Sequence, residues 1–254
     1  MRRPPMSDPV APARHNESAG LLPAVQSLLT IVIAAIFIIT FCVQPFRIPS
    51  ESMEPTLLVG DFLLVDKQVQ GFDESAGVLP AASIQRGQIV VFHYPVNPSM
   101  HLIKRVVGLP GDHLRLREGH VFIDGRRLDE PYAFYSASQP DSFRDNFPRL
   151  DRPDPEIDAR WWVRLHTLID HEELVIPAGD YFVLGDNRND SEDSRYWGFV
   201  PRSAIEGTPM VIYFSLEPRG EATVAEAPGT GAGLRLLDAV LEFARWSRTL
   251  QRVQ

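Results

Sequence analysis

Residues 101–128 read HLIKRVVGLPGDHLRLREGHVFIDGRRL, and this segment sets the class of the fold. Its first nine residues form a strand-like run that ends at a Pro110-Gly111 turn. The remainder carries the dipeptides Glu118-Gly119 and Asp124-Gly125, both compatible with tight hairpin turns. We therefore expect consecutive strands that are joined by hairpins.

Similar short runs occur on both sides of this segment. They are DFLLVDK (61–67), GQIVVFHY (87–94), DYFVLGDN (180–187) and PMVIYFSL (209–216). The 254 residues include 22 prolines, which favour a loop-rich β domain over a helix bundle. We predict a mostly β fold, with an antiparallel β-sheet domain over 47–217 and a β-hairpin extension.

An insertion at about 126–175 interrupts this domain. Tyr132–Asp158 is rich in Pro, Asp, Arg and Ser and predicts an irregular loop. WWVRLHTLI, Trp161–Ile169, is compatible with a strand or a short helix, and a strand is preferred. After the domain, 218–232 has the composition of a linker. Residues 233–254 predict an amphipathic helix, which either packs on the domain or lies on anionic lipid.

The N-terminal part predicts a membrane anchor. No charged residue occurs from Ser18 to Phe46, and a spanning helix needs roughly 20 apolar residues. A buried core helix would show a polar face, and a cleaved signal peptide would end in a small-x-small site. We therefore expect one transmembrane helix over 21–46, preceded by a disordered tail over 1–20. Arginines are concentrated before the helix, which places the N-terminus in the cytoplasm and the domain outside.

Composition excludes other classes of protein. The formal net charge is −8 and the acidic residues are scattered, so nucleic-acid binding is not expected. The single cysteine, Cys42, allows no intramolecular disulfide.

Ser52 and Lys104 are the candidate catalytic pair. Ser52 follows Pro49 and precedes Pro55, so its backbone is stiff and unsuited to a helix. Lys104 lies in the apolar run LIKRVV, where alternation places Lys104 and Arg105 on opposite faces of a strand. Burial lowers the pKa of a lysine, and a neutral amine can act as general base for a serine. The alternative is a lysine that extends to the edge of the strand and serves no catalytic purpose.

The segment GDNRNDSEDSRYWGFVP, Gly185–Pro201, supplies further polar side chains. A calcium loop is one alternative because the segment is rich in carboxylate and amide oxygens, but it lacks the D-x-[DN]-x-[DN]-G spacing. The histidines have no zinc-ligand spacing, and neither a GxSxG turn nor a Gly-rich phosphate loop occurs. We expect no metal and no cofactor.

Three motifs together resemble type I signal peptidases, the membrane-bound bacterial Ser/Lys endopeptidases also called leader peptidases. They are SESMEPTL (50–57), IKRVVGLPGD (103–112) and GDNRNDSEDSRYWGFVP (185–201). The chain departs from the family pattern in its single predicted span, in Glu51 between the two serines, and in the order Asn189 then Asp190.

The resemblance implies a role for each matching residue. Ser52 is the nucleophile, Lys104 is the general base, and the Ser50 hydroxyl with the Ser52 N–H forms the oxyanion hole. Ser191 orients the Lys104 amine. The remaining residues support the site: Asp193, Arg195, Asp186 and Asn187.

The implied function is removal of signal peptides from exported preproteins at Ala-x-Ala sites, on the outer side of a bacterial plasma membrane. The implied partners are preproteins and phospholipid, without nucleic acid or metal. Three alternatives remain: a related peptidase with one dedicated substrate, as in conjugation-pilus processing; a catalytically silent module that binds signal peptides; and a self-cleaving repressor. The repressor would need a DNA-binding domain where this chain has its apolar run.

Overall fold

The structure is a computed structural model that describes residues 21–37, 39, 42–67, 83–136, 141–217 and 243–253. The chain divides into two units, 1–40 and 41–254. The predicted tail at 1–20 and the predicted linker at 218–232 lie outside the described residues.

The first unit contains helix α1, Leu21–Phe37, which has 17 residues and no buried side chain. Of the helices that the structure describes, none has the length and apolar character needed to cross a membrane. The helix expected to continue to residue 46 ends earlier, since Val43–Arg47 forms strand β1. Pro45 pairs with Leu64 there, and an edge strand tolerates a proline because its missing N–H can face away from the sheet.

The second unit is built on two antiparallel sheets. Over the described residues the larger sheet has the strand order β1-β2-β12-β3-β4-β10-β11, with β13 also paired to β12. Its strands are β1 (Val43–Arg47), β2 (Asp61–Asp66), β3 (Ile89–His93), β4 (His101–Gly108), β10 (Asp180–Leu184), β11 (Val200–Pro201), β12 (Ile205–Ser215) and β13 (Gln251–Arg252). The prediction of a mostly β, antiparallel fold is confirmed.

The smaller sheet is the predicted hairpin extension, with the order β7-β6-β5-β9-β8. Its strands are β5 (His113–Arg117), β6 (His120–Ile123), β7 (Arg126–Arg127), β8 (Ile169–Asp170) and β9 (Glu173–Val175). Both predicted hairpin turns form. The φ angles are positive at both central residues, 51° and 79° at Glu118-Gly119 and 50° and 73° at Asp124-Gly125. A type I′ turn requires this conformation.

Two apolar clusters hold these sheets. The larger one joins both sheets to the helices α2 (Ala159–Leu165) and α3 (Ser194–Trp197) through side chains such as Phe147 and Phe182. The smaller one contains Leu63 and Val65 from β2 together with Met53. Strand β2 alternates buried and partly buried residues, and this alternation places Leu63 and Val65 on the same face of the sheet, in one cluster.

The preference for a strand at Trp161–Ile169 is wrong, because most of this segment forms α2. The Asp158 carboxylate accepts hydrogen bonds from the backbone N–H groups of Arg160 and Trp161 and so caps the helix. Trp161 and Leu165, one helical turn apart, are the two buried residues. The described residues of Tyr132–Asp158 form no helix or strand, as predicted, apart from one bridge at Phe134.

The amphipathic helix expected over 233–254 is wrong for its described part, residues 243–253. These residues form a short 3₁₀ turn at Trp246–Arg248 and then strand β13. Arg248 contributes to the difference, because its guanidinium forms an ion pair with the buried Asp61 at 2.6 Å. Strand β13 pairs with β12, which a helix could not do. Residues 233–242 of the expected helix lie outside the described part of the chain.

Candidate active site

Ser52 lies in a single 3₁₀ turn, Glu51–Met53, that follows the first strand of the domain. Met53 anchors the turn, since its side chain is buried in the smaller apolar cluster. The Ser52 carbonyl accepts a hydrogen bond from the Asn187 N–H at 3.2 Å, and the Asn187 side-chain amide donates to the Glu51 carbonyl at 3.3 Å. The loop after β10 therefore holds the backbone of this serine in place.

Lys104 reaches Ser52 from strand β4. Its Nζ lies 2.5 Å from the Ser52 Oγ, across 52 positions of sequence. The lysine is only 3% exposed, so its amine is almost fully removed from water. The strand presents this side chain toward the serine, and the next residue, Arg105, instead pairs with Asp186.

Burial lowers the pKa of Lys104 to about 8. The nearby Asp193 carboxylate opposes this shift, and the Arg195 guanidinium adds to it. At pH 8 about half of the molecules would thus carry a neutral amine here, whereas an ordinary lysine with a pKa of about 10.4 would be almost fully charged. A neutral amine can accept the proton of the neighbouring hydroxyl.

The Ser50 hydroxyl is the second polar group beside the nucleophile candidate. Its Oγ lies 3.3 Å from Ser52 Oγ, and either hydroxyl can donate. Ser50 is exposed, so its hydroxyl can turn toward a bound substrate. A hydroxyl in this position can donate to an oxygen that acquires negative charge at Ser52.

Ser191 lies close to this pair but has a different partner from the one expected. Its hydroxyl donates to Asp193 Oδ2 at 2.8 Å, and Ser52 is the hydrogen-bond partner of Lys104 among the described residues. Gly185 separates the two serines. A Cβ at Gly185 would overlap both the Ser191 hydroxyl and the Ser52 carbonyl oxygen. Gly185 is the first residue of the 185–201 motif, from which no role was predicted for it.

Asp193 and Arg195 form a buried pair, with two contacts of 2.8 Å. Asp193 also accepts from the Gly185 N–H at 3.1 Å. Burial alone would raise the pKa of Asp193, but the Arg195 charge and hydrogen bonds outweigh burial and lower it. The aspartate is therefore ionised, and its charge faces Lys104 and Arg195.

Asp186 anchors the same loop from the other side. Arg105 donates two hydrogen bonds to its carboxylate, at 2.8 and 2.7 Å, and the Thr56 hydroxyl donates a third at 2.6 Å. The Arg105 guanidinium also lies 4.0 Å from the ring centre of Tyr132. Arg105 and Arg195 thus pair with two of the carboxylates, Asp186 and Asp193, that a calcium loop in this segment would use. Thr56 and Arg105 were missed as site residues because their partner is 130 and 81 positions away, respectively.

A groove of about 670 Å³ opens over Ser52 and Lys104. Its apolar lining includes Met100, Leu102 and Trp197. A smaller cavity of about 150 Å³ adjoins the groove and shares Ser50, Ser52 and Lys104 with it. An extended peptide laid along the groove would pass its backbone across the two hydroxyls and the amine.

Residues 21–214, which include every residue of this site, match the family model described as signal peptidase, peptidase S26. The chain belongs to the signal peptidase family. It is therefore a serine peptidase, a hydrolase. Signal peptidase I of Pseudomonas aeruginosa is 34% identical over 222 residues, covering 82% of this chain and 78% of the relative. Signal peptidase I of Aquifex aeolicus is also 34% identical, over 74% of this chain and 82% of the relative.

A solved signal peptidase I from Enterococcus faecalis is 33% identical, with a TM-score of 0.37, and covers 50% of this chain and 97% of its own. Membership of the signal peptidase family confirms the resemblance drawn from the three motifs. The individual roles of the site residues stay predictions, as does the expected lack of a metal and a cofactor.

Proposed function

We propose that this chain is a membrane-anchored signal peptidase that cleaves preproteins by a Ser52/Lys104 dyad. The observation that carries the proposal is the 2.5 Å contact between Lys104 Nζ and Ser52 Oγ inside a groove. A charged lysine would be a donor only, so it could not remove the proton of the serine. Burial, which lowers the pKa of Lys104 to about 8, supports the neutral form that the reaction requires.

The reaction is acyl transfer in two steps. Lys104 takes the proton of Ser52 as Oγ attacks the scissile carbonyl, and then gives that proton to the leaving amine. A water molecule next enters, Lys104 takes its proton, and the resulting hydroxide attacks the acyl ester. Ser52 recovers its proton from Lys104 as the signal peptide leaves with a new C-terminal carboxylate; the mature protein has already left as the amine. No step requires a metal or a cofactor.

The Ser50 hydroxyl and the Ser52 N–H stabilise the oxyanion. Ser50 Oγ is 3.3 Å from Ser52 Oγ, within reach of the oxygen of a carbonyl under attack. Such donors, aimed at a developing charge, typically account for about 10²–10³ in kcat each. The other site residues act indirectly. Ser191 orients the Lys104 amine. Four residues fix the loop after β10 and its buried charges: Asp186, Asn187, Asp193 and Arg195.

The substrate carries small residues at the first and third positions before the cut. The 150 Å³ cavity beside Ser52 supports this specificity, since it accepts a small side chain and its lining includes the apolar Ile48, Met53 and Leu102. A large side chain would collide with these residues, which discriminates by steric exclusion.

The anchor precedes the domain and holds the groove at the outer face of a bacterial plasma membrane. The uncharged run from Ser18 to Phe46 and the arginines before it support this arrangement. Confinement to the membrane raises the effective concentration of enzyme at the emerging cleavage site. Extraction of membranes at alkaline pH tests the anchor: the chain should stay in the pellet, and release into the supernatant would contradict it.

A cleavage assay tests the function. Detergent-solubilised enzyme is mixed with a preprotein that carries an Ala-x-Ala site, and the new N-terminus is determined by mass spectrometry. We expect one cut after the second alanine, no product from Ser52→Ala, full activity from the control Ser99→Ala, and no effect of EDTA. Replacement of either alanine by leucine should abolish cleavage. If the enzyme cuts only one particular preprotein of a panel, it is a dedicated processing peptidase. If it cuts none, it is a catalytically silent module that binds signal peptides.

A further inference from the structure

Two histidines and a glutamate meet at one end of the larger sheet, where β3, β4 and β12 lie side by side. His93 and His101 are direct partners in the β3–β4 register, and their ring centroids are 4.6 Å apart. Glu206 comes from β12, and its Oε1 lies 3.0 Å from Nε2 of each histidine. One nitrogen or oxygen atom from each of the three side chains therefore converges within 4.8 Å.

The hydrogen bond of His93 to a backbone carbonyl directs the other ring nitrogen toward Glu206. His93 Nδ1 lies 2.8 Å from the carbonyl oxygen of Pro98, and a carbonyl can only accept. Nδ1 must then carry the proton, so in the neutral imidazole Nε2 presents a lone pair. That lone pair faces the Glu206 carboxylate at 3.0 Å, an arrangement that is unfavourable unless a proton or a metal ion lies between the two atoms. Histidines that bind metals commonly donate their other ring N–H to a backbone carbonyl in this way.

Glu206 adds a second indication. Its Oε2 is buried and has no hydrogen-bond partner in the described part of the chain. A buried acceptor without a partner destabilises the folded protein, and more so if it is charged. The Glu206 side chain is 12% exposed, whereas those of His93 and His101 are 40% and 34% exposed. An ion from solvent can therefore reach the cluster past the two imidazoles.

We propose that His93, His101 and Glu206 form a binding site for a divalent transition-metal ion, best matched by Zn²⁺. Two imidazole nitrogens and one carboxylate are a common ligand set for zinc, whereas calcium and magnesium favour oxygen ligands alone. Two ligand atoms at tetrahedral zinc are about 3.3 Å apart, and Glu206 Oε1 lies 3.0 Å from Nε2 of each histidine. A small outward movement of the side chains would admit the ion, with solvent as the fourth ligand.

The site is separate from the proposed dyad and does not depend on it. His101 begins strand β4, and Lys104 lies three positions further along the same strand. A metal that ties β3, β4 and β12 together would stabilise the folded state, because the unfolded chain does not bring the three ligands together. His101 also lines the 150 Å³ cavity, so the ion would lie at the edge of the proposed substrate site.

The test is metal binding by the full-length, untagged protein in detergent after removal of metals with a chelator. Zn²⁺ is titrated in competition with a chromophoric chelator, for wild type and for the variants His101→Asn and Glu206→Gln. The matched control is His171→Asn, which removes an exposed histidine that also contacts a carboxylate, that of Asp170. We expect one ion per chain in wild type and in His171→Asn, and affinity at least tenfold weaker in the other two.

Two further measurements check the geometry of the site and the folding of the variants. Co²⁺ should give the absorption bands of a tetrahedral site in wild type, and Glu206→Gln should lose them. Without metal, the melting temperatures of all variants should be similar. If His101→Asn does not fold, Glu206→Gln is the variant that is compared with wild type. Absence of zinc binding, or binding that His101→Asn and Glu206→Gln both retain at full strength, would overturn the proposal and leave a proton as the cation between His93 and Glu206.

Discussion

The Ser191 hydroxyl donates a 2.8 Å hydrogen bond to Asp193 Oδ2, and this contact links the loop after β10 to the charge pair under the active site. Asp193 also binds Arg195 and lies in the electrostatic field of Lys104. The Ser191 hydroxyl is therefore held in place by the Asp193–Arg195 ion pair. Because its proton is directed to Asp193, the Ser191 oxygen keeps its lone pairs for the proposed role of orienting the Lys104 amine.

Gly185→Ala should lower kcat/KM by more than tenfold. The added methyl group would overlap the Ser191 hydroxyl and the Ser52 carbonyl oxygen, so the nucleophile would have to shift. Small displacements of reacting groups are costly in rate. The control is Gly108→Ala, whose methyl group meets only core side chains such as Phe182. That control should lower the melting temperature with little change in kcat/KM of the folded enzyme, and equal kinetic losses in both variants would contradict the role of Gly185.

Arg248→Ala should destabilise the domain by about 2 kcal/mol, the usual value of a hydrogen bond to a charged group. Arg248 binds the fully buried Asp61 at 2.6 Å, and Ser215 and the Leu58 N–H also donate to this carboxylate. These remaining donors keep the loss below that of an unpaired buried charge. Urea unfolding measures the effect. Arg252→Ala, on exposed strand β13, is the control and should change stability little.

Lys104→Met should abolish activity and yet stabilise the protein at pH 7. Because burial lowers the pKa of Lys104 from 10.5 to about 8, the folded state holds the proton less tightly than the unfolded state. This difference in pKa lowers the free energy of unfolding of the wild-type protein by about 3 kcal/mol, at 1.36 kcal/mol per pKa unit. The destabilisation is fully present below pH 8 and disappears as pH rises from about 8 to 10.5.

The difference in unfolding free energy between Lys104→Met and wild type should thus be largest at pH 7 and narrow by pH 9.5. Denaturant unfolding at several pH values checks this, with Lys67→Met as the control for loss of a partly exposed lysine. A difference that does not vary with pH would contradict the depressed pKa of Lys104.

The sequence was sufficient for much of the fold because alternation and turn chemistry are local. Strands β2, β3 and β4 and the two type I′ turns follow from residues close together in the chain. Helix α2 was missed because the Asp158 cap and the burial of one face, rather than propensity alone, decide the Trp161–Ile169 segment. The C-terminal strand depends on pairing with β12, which no local pattern encodes.

The same distinction applies to the site. Ser52 and Lys104 were predicted because stiffness, apolar surroundings and family motifs mark them individually. Thr56 was missed because its role is a contact with Asp186, on another part of the chain. No sequence pattern points to the proposed metal ligands His93 and Glu206, because their separation follows no metal-binding motif and the order of strands in the sheet brings them together.

The pH dependence of cleavage tests the proposed base most directly. A preprotein with an Ala-x-Ala site is cut at low substrate concentration from pH 6 to pH 10 by wild type, Lys104→Ala and Lys104→Arg, with Lys67→Ala as control. Only a neutral amine can take the serine proton. We therefore expect kcat/KM of wild type and control to rise with pH and to level off above an apparent pKa near 8, the value to which burial lowers the pKa of Lys104. The kcat/KM of both Lys104 variants should be at least 10³-fold lower than that of wild type at every pH, a loss within the range for removal of a general base. Activity in Lys104→Arg, or a wild-type profile that is flat across this range, would contradict a dyad of Ser52 and neutral Lys104.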